Sequence, residues 1–251
     1  GPSLSLFVFV IGKGKWKTTD EFILMEALNA EPSKFVLFWV LLTSIFSIRI
    51  FYVLFRTGAP RRISRSSYPL SSMIVLGSGG HTAEMINLLT QLPKDNFAPR
   101  YYVAAATDDM SLHKAKSFEK SLISPDSTVD AHAQFRKIYR SREVGQSYVT
   151  SIATTLIAIG HALWLMIRIR PQVIICNGPG TCIPLCLIAF MFKVVGIRWS
   201  YIFYVESIAR VRRLSLSGLL LYKLHIADQF YVQWPQLHQK YPRSLHVGRL
   251  M

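Results

Sequence analysis

Two glycine-rich runs and a histidine are the residues of this chain whose types and spacing suit chemistry: Gly77-Ser-Gly-Gly-His-Thr82 and Asn177-Gly-Pro-Gly-Thr181. Each run follows an apolar stretch, residues 73–76 and 173–176, and each precedes a helical pattern, with Met85, Leu88, Leu89 and Leu92 spaced as on one helix face after the first. Strand, glycine turn and helix together aim backbone N–H groups and a helix N-terminus at a phosphate. The candidate phosphate ligands are Gly77, Ser78, Gly79, Gly80 and Thr82 on the first loop, and Asn177, Gly178, Gly180 and Thr181 on the second. Two such loops would grip the two phosphates of one pyrophosphate. The alternative is that these glycines only make tight turns.

Three side chains are candidates for proton transfer. His81 opens the first helix, and a neutral imidazole there is a usable general base. Glu206 ends the apolar stretch 201–205, where it is either a substrate ligand or base, or the anion of a helix N-terminus. Asp108, just past a third apolar stretch at 101–106, is a candidate of the same kind. Arg210, Arg212 and Arg213 follow Glu206 and read as a phosphate contact or a solvated basic face.

Several activities find no support. The first loop does not carry the Gly-x-x-x-x-Gly-Lys-Ser/Thr pattern of a P-loop. Thr82 stands where a dinucleotide fingerprint has its third glycine. The chain has no Asp-x-Asp triplet and no His/Cys ligand spacing, so neither a metal nor a cofactor is expected. The three cysteines, Cys176, Cys182 and Cys186, share one apolar stretch and read as reduced core thiols.

The elements that must position these residues alternate. Strands are expected at 73–76, 101–106, 135–139, 173–176, 200–205 and 230–233, and helices at 83–92, 113–120, 148–167, 183–195 and 214–226, with Gly196 closing the fourth of these helices. Alternation of this kind gives an α/β fold, a Rossmann-like parallel sheet with helices on both faces, whose ligands sit at the C-terminal strand edge. Residues 148–167 are nearly long enough to span a bilayer, but Thr150, Ser151, Thr154, Thr155 and His161 favour an amphipathic or buried helix.

Ahead of this domain, residues 35–55 are apolar over about 21 residues, the length of a transmembrane helix. Residues 56–71 form a basic linker with Arg56, Arg61, Arg62 and Arg65, which places the following domain, residues 72–251, on the cytosolic side. Residues 1–34 have no assigned role; Gly1-Pro2 is compatible with a protease scar and Met25 with a native start. Twenty-nine basic and 14 acidic residues leave a formal charge of +15. That excess suits an anionic partner, and the hydrophobic fraction of 51% fits a membrane-associated protein better than a nucleic-acid binder.

Five blocks in order carry a family resemblance: the two glycine runs, Ser141-Arg-Glu-Val144, Tyr204-Val-Glu-Ser207 and Val232-Gln-Trp234. From Met73 onward the chain resembles the membrane-anchor subunit of the UDP-N-acetylglucosamine transferase of asparagine-linked glycosylation (asparagine-linked glycosylation protein fourteen). The resemblance implies the N-terminal, acceptor-binding half of a GT-B glycosyltransferase. It implies a separate soluble subunit that binds UDP-GlcNAc and docks on the C-terminal tail around 244–251. The reaction implied is inverting transfer of GlcNAc to dolichyl-pyrophosphate-GlcNAc, with His81 or Glu206 as base and Asp108 next in line. The location implied is the endoplasmic-reticulum membrane, and the nuclear envelope with it, crossed once with the domain cytosolic. Two rival roles stay open: a non-catalytic membrane adaptor, and a membrane-tethered nucleotide-dependent oxidoreductase.

Overall fold

The computed structural model describes residues 18–58, 69–122, 133–139, 148–178 and 180–249. Residues 1–17, Arg61, Arg62, Arg65, the Ser141–Val144 block, Pro179 and residues 250–251 lie outside them. The first helix, α1 (Thr18–Arg56), is continuous over 39 residues. Its part Ser33–Arg56 is long and apolar enough to cross a membrane. Helix therefore extends well upstream of the apolar stretch at 35–55, into residues that carry no apolar pattern. The chain forms two compact units, Gly1–Arg49 and Ile50–Met251. In the second unit Val53 is fully buried.

The second unit alternates as follows: β1 (Ser72–Val75), α2 (Gly80–Gln91), β2 (Arg100–Ala105), α3 (Asp109–Leu122), β3 (Ala133–Ile138), α4 (Tyr148–Ile169), β4 (Val173–Asn177), α5 (Cys182–Val195), β5 (Tyr201–Val205), α6 (Leu216–Lys223), β6 (Gln229–Val232), α7 (Pro235–Lys240) and β7 (Leu245–His246). All seven strands are parallel, in the order β3-β2-β1-β4-β5-β6-β7. The chain winds outward from β1 in one direction and from β4 in the other, so the β1/β4 pair is the topological switch point where open α/β sheets bind ligands. Register sets Val75 beside Cys176. The two glycine turns consequently leave neighbouring strands at the same edge.

Both faces of the sheet are apolar. One face packs Met73, Val75, Ile174, Cys176, Ile202, Tyr204 and Phe230 against α4, α5 and α6. The other packs Ile74, Leu76, Tyr102, Ala104 and Ile175 against α2 and α3. Among the described residues, no helix continues this second layer over β5 and β6. Phe203, Val205 and Tyr231 instead border an open apolar cleft of about 260 Å³ with Leu88, Leu92, Phe97, Ile175 and Val247. Gly196 is left-handed (φ 86°) and its N–H reaches Phe192 O at 2.9 Å, closing α5 as its sequence position predicts. Beside it, buried Lys193 pairs with Asp228, which also accepts the Ile202 N–H at 2.8 Å. Burial pulls the Lys193 ammonium down and pushes the Asp228 carboxyl up, while their attraction offsets both. The short α7 and β7 follow Pro235, where the sequence predicts only a tail.

Candidate functional site

The first glycine turn ends at Gly79, whose φ of 63° is left-handed, and α2 begins at Gly80. A Cβ on Gly79 or Gly80 would meet nothing within 4 Å, so the backbone faces open space. Gly180 is equally open on the second turn. Gly178 is different. Its φ is 69°, and a Cβ there would stand 2.7 Å from His81 Cε1. The second turn therefore lies directly against the imidazole, and only glycine allows that approach.

His81 Nδ1 is 3.1 Å from Asn177 Oδ1. Asn177 Nδ2 donates to Glu84 Oε2 at 3.0 Å. A carboxylate only accepts, so the Asn177 amide must turn its NH2 to Glu84 and its oxygen to the imidazole. In the neutral ring Nδ1 of His81 then carries the hydrogen and Nε2 keeps a lone pair; the residue as a whole is partly exposed. This is the tautomer that a general base needs.

Glu84 is 4% exposed and collects donors from distant parts of the chain. Ser207 Oγ donates to Oε1 at 2.8 Å, and the Ile208 N–H reaches Oε2 at 3.3 Å. Gln233 Nε2 lies 3.5 Å from Oε2 and donates to Glu206 O at 3.1 Å. The sequence reading passes over Glu84. Its one signal is position: three residues after His81 on one helix, it shares the histidine's face.

The remaining candidates lie around this centre. Thr82 is wholly buried; its hydroxyl bonds to Gly77 O and lies 2.7 Å from Ser111 Oγ. Ser111 Oγ also bonds to Gly77 O at 3.0 Å and Asp108 Oδ2 at 2.7 Å. Asp108 Oδ1 accepts the Ser111 N–H at 3.1 Å, in the first turn of α3. Asp108 and Thr82 are thus tied to the base of the first turn, while Ser78 is exposed beside its open backbone. Thr181, at the start of α5, has a buried hydroxyl oxygen with no partner among the described residues.

Glu206 has no exposed surface. Oε2 accepts Ser215 N at 3.0 Å and Ser215 Oγ at 3.1 Å, and Oε1 accepts Ser207 N at 3.2 Å. Ser215 in turn caps α6 by accepting the Gly218 N–H at 3.0 Å. The carboxylate is the buried anion of a helix N-terminus, one of the two readings its sequence position allows. Burial pushes its carboxyl above the ordinary range, with the Ser215 and Ser207 donors offsetting part of the rise. The folded state therefore holds the proton to higher pH than the unfolded chain. The resulting stabilisation is complete below the ordinary carboxylate pKa and is lost as pH rises through the folded value. Glu206→Gln, which sacrifices one donor contact, is expected to melt below the parent near pH ~5 and to narrow that gap by pH ~8, as thermal scans in detergent would read.

Among the described residues, the His/Cys/Asp/Glu group with ligating atoms mutually within 4.8 Å is the thiol trio Cys176, Cys182 and Cys186. All three are fully buried, in the core layer behind the second turn.

A family model described as "Oligosaccharide biosynthesis protein Alg14 like" matches residues 72–250. The UDP-N-acetylglucosamine transferase subunit ALG14 of Rattus norvegicus is 46% identical over 184 residues, covering 72% of this chain and 83% of the relative. The Homo sapiens protein of that name is 44% identical over 187 residues with the same coverages. The Yarrowia lipolytica protein is 44% identical over 179 residues, 71% of this chain and 80% of the relative. Among solved structures, Acinetobacter baumannii MurG aligns with a TM-score of 0.46 at 15% identity; the match covers 66% of this chain and 41% of MurG. With its family model spanning the whole sheet and relatives this similar across most of their length, the chain belongs to the Alg14 family of oligosaccharide biosynthesis proteins.

Proposed function

We propose that this chain is the membrane-anchoring, acceptor-binding subunit of a two-subunit N-acetylglucosaminyltransferase. The complex transfers GlcNAc from UDP-GlcNAc to dolichyl-pyrophosphate-GlcNAc at the cytosolic face of the endoplasmic reticulum. The observation that carries this reading is the Glu84–Asn177–His81 relay between two open glycine turns. The names of the relatives support a UDP-GlcNAc transferase subunit, and the apolar helix Ser33–Arg56 supports the anchor.

In this mechanism the acceptor pyrophosphate lies against Gly79, Gly80 and Gly180, with the Thr181 hydroxyl as a donor. That placement brings the 4-hydroxyl of the acceptor GlcNAc to Nε2 of His81. The proton passes to Nε2 as O4 attacks C1 of UDP-GlcNAc from the side opposite the diphosphate. The C1–O bond to the β-phosphate breaks, UDP departs, and the anomeric configuration inverts. The soluble partner supplies the UDP-GlcNAc site. It docks on the cleft of Phe203, Val205, Tyr231 and Val247, where no described helix covers the sheet and Val247 of the C-terminal tail forms one wall.

Two measurements test this. Full-length chain in nanodiscs should bind a short-chain polyprenyl-pyrophosphate-GlcNAc without its partner. Gly80→Val, which puts methyls into the open cradle, should weaken that binding at least ~10-fold. Tight UDP-GlcNAc binding by the isolated chain, or unchanged acceptor binding by the variant, would sink the split-site reading. Val247→Asp, at an exposed position of the tail, should weaken association with the soluble subunit by ~10-fold or more, measured by titration calorimetry.

A further inference from the structure

Helix α4 has two apolar faces, and among the described residues only one of them is packed. Ala158, Ala162, Leu165 and Met166 are buried against the sheet. On the opposite side Leu156 (65% exposed), Ile157, Ile159, Leu163, Trp164 and Ile167 stand in the open. At 100° per residue these six fall in one continuous stripe, and no charged residue occurs between Glu143 and Arg168 to interrupt it. The adjoining end of α5 extends the patch with Met191, Val195 and Ile197. Soluble domains seldom leave a surface of this kind uncovered.

The border of the patch identifies what covers it. Arg168 and Arg170 are exposed at the C-terminal end of α4, and Arg198 follows Ile197. Tyr139, His161 and Trp164 form a chain of ring contacts at 5.3 Å and 5.8 Å along one flank. Apolar centre, amphipathic aromatics and a cationic fringe are the layout of a helix lying in a bilayer interface with anionic headgroups. A protein partner would not require the arginine fringe, and the cleft on the opposite sheet face already provides an apolar docking surface.

We propose that the outer face of α4, with the end of α5, is an interfacial membrane-binding surface that seats the domain on anionic lipid. The inference rests on the membrane-anchored reading above. Such a seat makes the domain's contact with the bilayer independent of the linker after α1. It would hold the glycine turns at a fixed height above the headgroups, where a lipid-borne pyrophosphate must be met.

The test uses the full chain in phosphatidylcholine vesicles containing about one-fifth phosphatidylserine. An environment-sensitive fluorophore is attached at Leu163→Cys on α4, or at Ser117→Cys on α3 across the sheet; the three native thiols are buried. The label at 163 should shift to the blue, be quenched by nitroxide lipids, and resist iodide at least ~5-fold better than the label at 117. A chain that floats with the vesicles while both labels meet iodide equally overturns the seat and leaves the anchor standing. A chain that does not float overturns both. Shielding that appears only when the soluble subunit is added, or with rising chain concentration in detergent, assigns the face to protein contacts and also overturns the proposal. As a second variant, Ile157→Glu with Leu163→Glu changes two outward residues. It should lower turnover on bilayer-embedded acceptor by ~10-fold and leave turnover on detergent-dispersed acceptor unchanged. Equal turnover on both would count against the seat.

Discussion

His81→Ala is expected to lower turnover of the reconstituted two-subunit enzyme by ~10²–10⁴-fold, the usual contribution of a positioned general base. Acceptor affinity should change by less than ~3-fold, because the proposed cradle is open backbone at Gly79, Gly80 and Gly180 rather than the imidazole. Glu84 fixes the Asn177 amide, and the amide fixes Nδ1–H, which in the neutral ring leaves the lone pair on Nε2. Single-turnover kinetics with saturating acceptor would isolate the chemical step. If His81→Ala turned over within a few-fold of the parent, the base would lie elsewhere. Glu206 is a poor substitute, since both oxygens are engaged and none of its surface is exposed. Asp108 would become the next candidate.

Glu84→Ala carries the second large effect, and it should differ sharply from Glu84→Gln. Alanine strands the Asn177 amide, the Ser207 hydroxyl and the Ile208 N–H in a buried site, each costing ~1–3 kcal/mol. The variant is expected to lose several kcal/mol of stability in total, to melt far below the parent, and to lose turnover along with fold. Glutamine can keep its oxygen on Asn177 and Ile208 and turn its amide to Ser207, whose hydroxyl can reverse to accept. It should fold normally and retain turnover within ~10-fold, since Asn177 is still held in the orientation that leaves Nε2 free. If Glu84→Gln were as inactive as His81→Ala while folding normally, the carboxylate charge itself, and not its geometry, would be what catalysis needs.

Much of this could be read from residue order. Apolar runs ended by glycine gave the strand–turn–helix repeats, and Gly196 marked the end of α5. Both glycine turns and His81 were evident because their chemistry is local. Glu84 was not, because its meaning depends on Asn177, Ser207, Ile208 and Gln233, which are brought to it only by the pairing of β1 with β4, β4 with β5 and β5 with β6. A glutamate on an amphipathic helix reads as solvated until those partners are known. Glu206 and Asp108 show the converse. Their places at strand ends allow a substrate ligand, a base or the anion of a helix N-terminus, and only tertiary structure shows both carboxylates engaged at helix starts. The apolar span at 35–55 is legible and matches Ser33–Arg56 within two residues, whereas the upstream part of α1 is not, because helix can continue through polar residues that carry no apolar signal. The short α7 and β7 escaped notice because six and two residues hold too little pattern to register.

The Glu84 network has a consequence for biosynthesis. Its donors enter the ribosomal product in widely separated portions, and Gln233 comes some 149 residues after the glutamate it faces. Parallel sheets with contacts this remote form slowly, since every loop must close before its contact is rewarded. A nascent chain that has extruded β1, α2 and even β4 still holds His81 in an unfinished socket, with Glu84 short of partners and prone to mispair. The setting of the His81 ring therefore waits until β6 has left the ribosome. A stall before β6 would yield a species with most of a sheet and an unset imidazole, a natural client for chaperones.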